Sequence, residues 1–206
     1  PLFCHDIEDL RTAARRRLPR GLFDYVDRGC DGDIGIARNR AAFDAITFAP
    51  RVLRGVAQRS TASTLFGQKL ALPAAIAPMS PAGLLWHEGE GKLAAAARAA
   101  GIPYTLPTES MTRLDAISAI MAGSPWWFQL YLWADKAESM KLVERVVAAG
   151  ASVLLLTVDT AVAPHRAFNH RNGFATPFKP GLRNITDMLL HPAWLIGTMG
   201  RYALTT

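Results

Sequence analysis

The sequence predicts an α/β fold with a parallel sheet and, among parallel architectures, a (β/α)8 or TIM barrel. Three observations carry this reading. From residue 70 onward short apolar runs, at 73–77, 102–106, 126–130 and 153–158, alternate with helix-forming stretches at 89–100, 112–121 and 135–149. Such alternation specifies parallel strands with helices packed outside, and uninterrupted apolar runs fit strands covered on both faces. Each run ends in polar or special residues: Pro78, Met79 and Ser80, then Pro107 and Thr108, then Gln129 and Tyr131, then Thr157 and Asp159. In a barrel these ends converge on the face where active sites lie. A doubly wound dinucleotide-binding sheet would carry G-x-G-x-x-G after its first strand, and the sequence has none there.

The elements follow in order. Asp6 is placed to cap a helix over 6–17, with Pro19 beyond its end. A second short helix spans 22–28, and a Gly/Asp loop spans 29–35. The helix over 89–100 is alanine-rich and closes at Gly101, a residue suited to the left-handed position after a helix. Thr112 and Asp115 have the spacing of a capping box variant, and Asp135 caps the next helix, which Gly150 closes. The count stops at four βα units, whereas a barrel needs eight and typically about 250 residues. The expected organisation is an N-terminal extension (1–70), the first half of a barrel (71–173) and the start of a basic segment (174–206). Open strand edges are sticky, so the remaining half, from the same or a second chain, is an expected partner.

The chain has 206 residues, 50% hydrophobic and 19% charged, which excludes a disordered polymer. No run approaches 18 apolar residues, so a transmembrane helix is not expected. Residues 1–10 hold three acids and no apolar run, unlike a secretion signal. Cys4 and Cys30 form no C-x-x-C, and His87, His165 and His170 lack metal-ligand spacing. These features point to no metal site, no disulfide framework and a cytoplasmic setting. The net charge of +6 is uneven: residues 160–206 hold five basic residues and Asp187 as their only acid. A basic excess serves anionic membranes, nucleic acids or anionic ligands, and solvation alone accounts for it equally well. No nucleic-acid motif accompanies the arginines.

Gln129 and Tyr131 stand at i and i+2, on one side of a strand, and Thr157 and Asp159 repeat the spacing on the next. Arg166 follows in the loop and can fork onto a carboxylate. Taken singly, a hydrogen-bonded core tyrosine, a loop-capping aspartate and a solvated arginine explain the same residues.

In order and spacing, Phe23-Asp-Tyr25 with Arg28-Gly29, Asn39-Arg40, Ile76-Ala-Pro78, Ala100-Gly-Ile-Pro103, Trp127-Phe-Gln-Leu-Tyr131 and Leu156-Thr-Val-Asp-Thr160 with Arg166 resemble the FMN-dependent (S)-2-hydroxy acid oxidases and dehydrogenases. Asn172-Gly-Phe174 and His191-Pro-Ala-Trp194 are most similar to the mandelate and membrane-bound lactate dehydrogenases. The resemblance implies that Tyr25 and Arg166 bind the substrate carboxylate and Tyr131 its hydroxyl. It implies that Gln129 and Thr157 meet the polar edge of the FMN ring, that Ala77, Pro78, Met79 and Ser80 line it near N5, and that Asp159 orients a catalytic histidine. Two positions depart from the family: Pro107-Thr108 replaces Ser-Thr, leaving Thr108 as the candidate flavin contact, and Ser80 replaces Gly or Ala.

The family's catalytic histidine, lysine and second arginine follow later strands, so the chain alone is expected neither to hold FMN tightly nor to turn over. The resemblance further implies a homotetramer, with oxygen or a quinone as acceptor. It implies a peripheral location on the inner face of the cell membrane through 174–206, where Ile185, Met188, Leu189, Leu190, Trp194, Leu195 and Ile196 are flanked by Lys179, Arg183 and Arg201. A lid in place of a membrane helix, a non-catalytic half-barrel module and another phosphate-ligand barrel are the alternatives.

Overall fold

The computed structural model describes residues 4–160, 162, 164–174 and 181–205. In chain order its helices and strands are α1 (Ile7–Arg17), α2 (Arg20–Asp27), α3 (Ile34–Asp44), β1 (Ser63–Leu65), β2 (Gln68–Leu70), α4 (Ala82–Leu85), α5 (Gly89–Ala100), β3 (Tyr104–Pro107), α6 (Leu114–Ile120), β4 (Trp126–Leu130), α7 (Lys136–Ala148), β5 (Val153–Leu156), α8 (Ala167–Arg171) and α9 (Leu182–Leu189). A helical stretch follows, with a π-helical turn at Leu195–Gly200. Contacts divide the chain into two units, Pro1–Gly55 with Val162–Thr206, and Val56–Ala161.

The unit Val56–Ala161 contains the parallel sheet, in the order β3-β4-β5, with Ile76 bridging to Tyr104 on the outer side of β3. Sequential parallel strands joined by α6 and α7 are right for a (β/α)8 barrel. The expected strand at 73–77 contracts to this bridge: the Ile76 N–H donates to Pro103 and its carbonyl accepts from Thr105. Pro73 and Pro78 bracket the run and cannot donate to a ladder. Along β4 the side chains alternate. Trp126, Phe128 and Leu130 join Ala94, Ala97, Leu106, Ile117 and Val146 in the core between sheet and helices. Complete burial of a residue such as Ile117 stabilises by about 1.5–3 kcal/mol.

Trp127 and Gln129 occupy the other face of β4. A β1–β2 hairpin, not foreseen in the sequence, covers Trp127: Phe66 meets its ring edge-on at 5.7 Å and Gln68 accepts its indole N–H at 3.1 Å. On β5, Leu154 and Leu156 stay 44% and 48% exposed, although their register partners Phe128 and Leu130 are buried.

Helix starts follow local chemistry where expected at Asp6, which accepts from Asp9 N–H, and at Asp135, which accepts from Ala137 and Glu138. Gly101 closes α5 at φ 66°. The capping box does not form. α6 begins at Leu114 with Arg113 as its cap, and the Thr112 hydroxyl goes to Glu90.

In the other unit, α2 buries Leu22 and Phe23. The Arg11 guanidinium forks onto Asp27 at 2.5 and 2.9 Å and holds that carboxyl below the usual range. The loop expected over 29–35 ends sooner, because Asp33 in a left-handed conformation starts α3. In α9 and beyond, Leu182, Ile185, Leu189, Leu190 and Ile196 are exposed. Trp194, expected on that apolar face, is instead buried at 5% exposure. Lys179 lies outside the described residues. No helix among the described residues is long and apolar enough to cross a membrane.

Candidate functional site

The unit Val56–Ala161 gathers polar groups at the C-terminal ends of its strands. Pro107 and Gln129 are register partners on β3 and β4, and Thr157 follows β5 directly. Gln129 is buried, its amide N–H donating to Thr157 Oγ1 at 2.8 Å while its carbonyl oxygen accepts from Thr108 N–H at 3.3 Å. The Thr108 hydroxyl donates to the Gln129 main-chain carbonyl at 2.6 Å and accepts from Tyr131 N–H at 3.0 Å. Thr108 therefore braces the end of β4 with both functions of its hydroxyl, and Tyr131 is held at its backbone by that brace. Ser80 donates its hydroxyl to the Glu109 carbonyl, linking the segment after Ile76 to the one after β3. Ala77 and Met79 are exposed and Pro78 half-buried beside it. Asp159 is exposed on the loop after β5.

The other unit contains Tyr25 and Arg166. Tyr25 lies on α2, and the Arg166 guanidinium sits 5.1 Å from the centre of its ring. Phe174 tilts against the same ring at 5.2 Å. Arg166 precedes α8, and its Nε is buried without a hydrogen-bond partner among the described residues. A buried guanidinium donor without an acceptor is costly, and a carboxylate satisfies it best. The flanking segments are fixed by Asn172, whose amide donates to Asp24 at 2.6 Å and whose carbonyl accepts from Asn184 at 2.6 Å.

The structure brings together Gln129, Thr157 and Thr108 in one unit and Tyr25 and Arg166 in the other; strand spacing marks Gln129 and Thr157, and the family resemblance marks the other three. The sequence marks Asn172 only as part of a resembling segment and gives it no role, because that role depends on a partner 148 residues away. It also missed Glu90, which reads as an ordinary first-turn helix acid and is fully buried. Among the described residues no group of three or more His, Cys, Asp or Glu could hold a metal ion.

A profile of the FMN-dependent dehydrogenase family matches residues 14–205. The chain belongs to this family. Within the FMN-dependent dehydrogenases it is similar to the L-lactate dehydrogenase of Caulobacter vibrioides, 40% identical over 194 residues, covering 93% of this chain and 50% of the relative. The L-lactate dehydrogenase of Bartonella quintana is also 40% identical, covering 94% and 50%. Among solved structures, the monotopic membrane protein (S)-mandelate dehydrogenase superposes with a TM-score of 0.89 at 30% identity, covering 96% of this chain and 52% of that one. A mandelate oxidase superposes at 0.76 with 36% identity, covering 91% and 58%. The fold is that of the TIM-barrel enzymes of the family. The chain spans about half the length of the curated relatives it matches.

Proposed function

We propose that this chain provides part of the substrate and flavin sites of an enzyme that oxidises an (S)-2-hydroxy acid, of mandelate or lactate type, to the 2-oxo acid. The observation that carries the reading is the buried, unsatisfied Nε of Arg166 beside the ring of Tyr25. A guanidinium and a phenol side by side match a substrate carboxylate and fix its orientation. The names of the relatives, L-lactate dehydrogenase and (S)-mandelate dehydrogenase, support the substrate class.

The residues after the strands fit FMN. The edge of its ring presents one N–H between two carbonyls, and the Gln129 amide with the Thr157 hydroxyl offers donors and an acceptor to match. When bound, FMN supplies the two-electron acceptor. Gln129 and Thr157 would hold its polar edge, with Ala77, Pro78, Met79 and Ser80 near N5 and Thr108 bracing from behind. Tyr131 hydrogen-bonds the substrate hydroxyl. Asp159 pairs with the base that takes the hydroxyl proton and stabilises its protonated form. That base comes from the remaining half of the barrel, which covers the exposed Leu154 and Leu156 of β5. A membrane quinone or oxygen would be the final electron acceptor. The exposed apolar residues of α9 rest on the inner face of the cell membrane, a reading supported by the monotopic relative.

The test uses the protein in which this chain is joined to the rest of its barrel. Anaerobic addition of (S)-mandelate or L-lactate bleaches its flavin absorbance, and Arg166→Met abolishes bleaching at substrate concentrations that saturate the wild type. A flavin indifferent to both acids refutes the proposal, as does undiminished bleaching in the variant.

A further inference from the structure

Glu90 is the second residue of α5 and is completely buried. Among the described residues its carboxylate has no cation as a partner. One oxygen accepts the N–H of Gly83 at 3.0 Å and of Met111 at 3.4 Å, and the other accepts the Thr112 hydroxyl at 3.1 Å. A buried carboxylate held only by neutral donors is expensive to keep and is retained where its geometry matters. Gly83 belongs to α4, directly after Ser80 and Pro81, whereas Met111 and Thr112 end the segment that starts at Thr108. Glu90 therefore binds the two segments that follow Ile76 and β3 to each other and to the start of α5. The Ser80–Glu109 hydrogen bond ties the same two segments a few residues closer to the strand ends. Close approach reinforces the arrangement: a side chain at Gly89 would collide with the Ala82 carbonyl, so α4 can lie directly on the helix start.

We propose that Glu90 is a positioning residue for the flavin-facing edge of the site. Its hydrogen bonds set where Ala77, Pro78, Met79, Ser80 and Thr108 stand. It touches neither substrate nor cofactor, and it acts through the backbone of the two segments. The inference rests on the reading above that Ala77, Pro78, Met79 and Ser80 line FMN and that Thr108 braces the residues that hold its edge.

The test again uses the protein with the complete barrel, and compares Glu90→Leu, Glu90→Gln and Thr112→Val. Displacing site groups by a fraction of an ångström costs about tenfold or more, so Glu90→Leu is expected to slow single-turnover flavin reduction and to raise the FMN dissociation constant by at least about that factor. It also shifts the visible flavin spectrum. KM for the hydroxy acid changes less than the FMN dissociation constant, because Tyr25 and Arg166, which take the carboxylate, are on other segments. Glu90→Gln keeps an oxygen for Gly83 and Met111 and recovers most of the loss. Thr112→Val removes one hydrogen bond and shows the same changes more weakly, which decides the matter if Glu90→Leu does not fold. FMN affinity, spectrum and reduction rate unchanged in Thr112→Val and in any folded Glu90→Leu overturn the positioning role while leaving the flavin reading intact. A wild-type protein that retains no flavin overturns both.

Discussion

Replacing Arg166 by methionine separates a binding role from a structural one, because the two predict opposite signs. Without ligand, the substitution removes a buried Nε that has no acceptor. An unsatisfied buried donor costs about 1–3 kcal/mol, and its removal returns that much. Against this, the guanidinium loses its place 5.1 Å from the Tyr25 ring, a cation–π contact of about 0.5–1 kcal/mol at a partly exposed site. Methionine keeps most of the aliphatic packing. The net expectation is a ligand-free protein as stable as the wild type, or more stable by up to about 2 kcal/mol. With substrate the sign reverses. Two charge-assisted hydrogen bonds at about 1.5–3 kcal/mol each are lost, which weakens binding roughly a hundredfold to ten-thousandfold. Arg166→Lys retains charge without the planar fork and recovers only part of the affinity. Urea unfolding of the ligand-free protein and the KM for the hydroxy acid measure the two halves. A variant clearly less stable than wild type, with KM unchanged, would show that Arg166 is a structural residue and refute the reasoning.

Three further predictions follow from the geometry. Tyr104 has a buried hydroxyl without a partner among the described residues, and burial together with Glu90 pushes its pKa above the ordinary tyrosine range. Tyr104→Phe should thus leave stability unchanged or raise it by about 1 kcal/mol in urea unfolding, and a clear loss would mean the hydroxyl is satisfied. The Asp27 carboxyl, held below its usual range by Arg11, contributes stability above the ordinary carboxylate pKa of about 4 and loses it as pH falls through the lowered value. Asp27→Asn should accordingly flatten the acid limb of the stability-against-pH curve, and an unaltered limb contradicts the pairing. Leu182→Ser with Leu189→Ser should reduce co-sedimentation with anionic vesicles without loss of stability, whereas Trp194→Ala, in the buried position, should cost about 3–5 kcal/mol. Equal effects of both on vesicle binding alone would count against the distinction.

Local chemistry was the legible part of this fold. Asp6, Asp135 and Gly101 mark helix ends because their side chains or backbone freedom act within a turn, and β4 is a run apolar at every position but Gln129, with matching bounds. Legibility failed where the decisive partner is distant or the pattern weak. Asp31, Asp33 and their glycines read as loop, yet a helix begins at Ile34 without a pronounced apolar face. The hairpin at Ser63–Leu70 is short and polar, and it acquires its meaning from Trp127. Gln129 and Thr157 were visible through two-residue alternation on neighbouring strands, and the structure joins them. Thr108 was read as a flavin contact, but a hydroxyl engaged at both functions shows no signature in sequence. Glu90 escaped because acids in a first helical turn are usually solvated, and the donors that bury this one come from two other segments.

The hairpin over Trp127 has a consequence for how the molecule can change. Phe66 and Gln68 seal the sheet at the end opposite Gln129 and Tyr131, so it forms a floor beneath the chemistry. In barrels that lower end governs stability and the upper end activity. Substitutions at Phe66 or Gln68 are thus free to alter half-life at elevated temperature while leaving turnover and substrate preference alone. The two properties can drift independently, each tuned from its own end of the same strands.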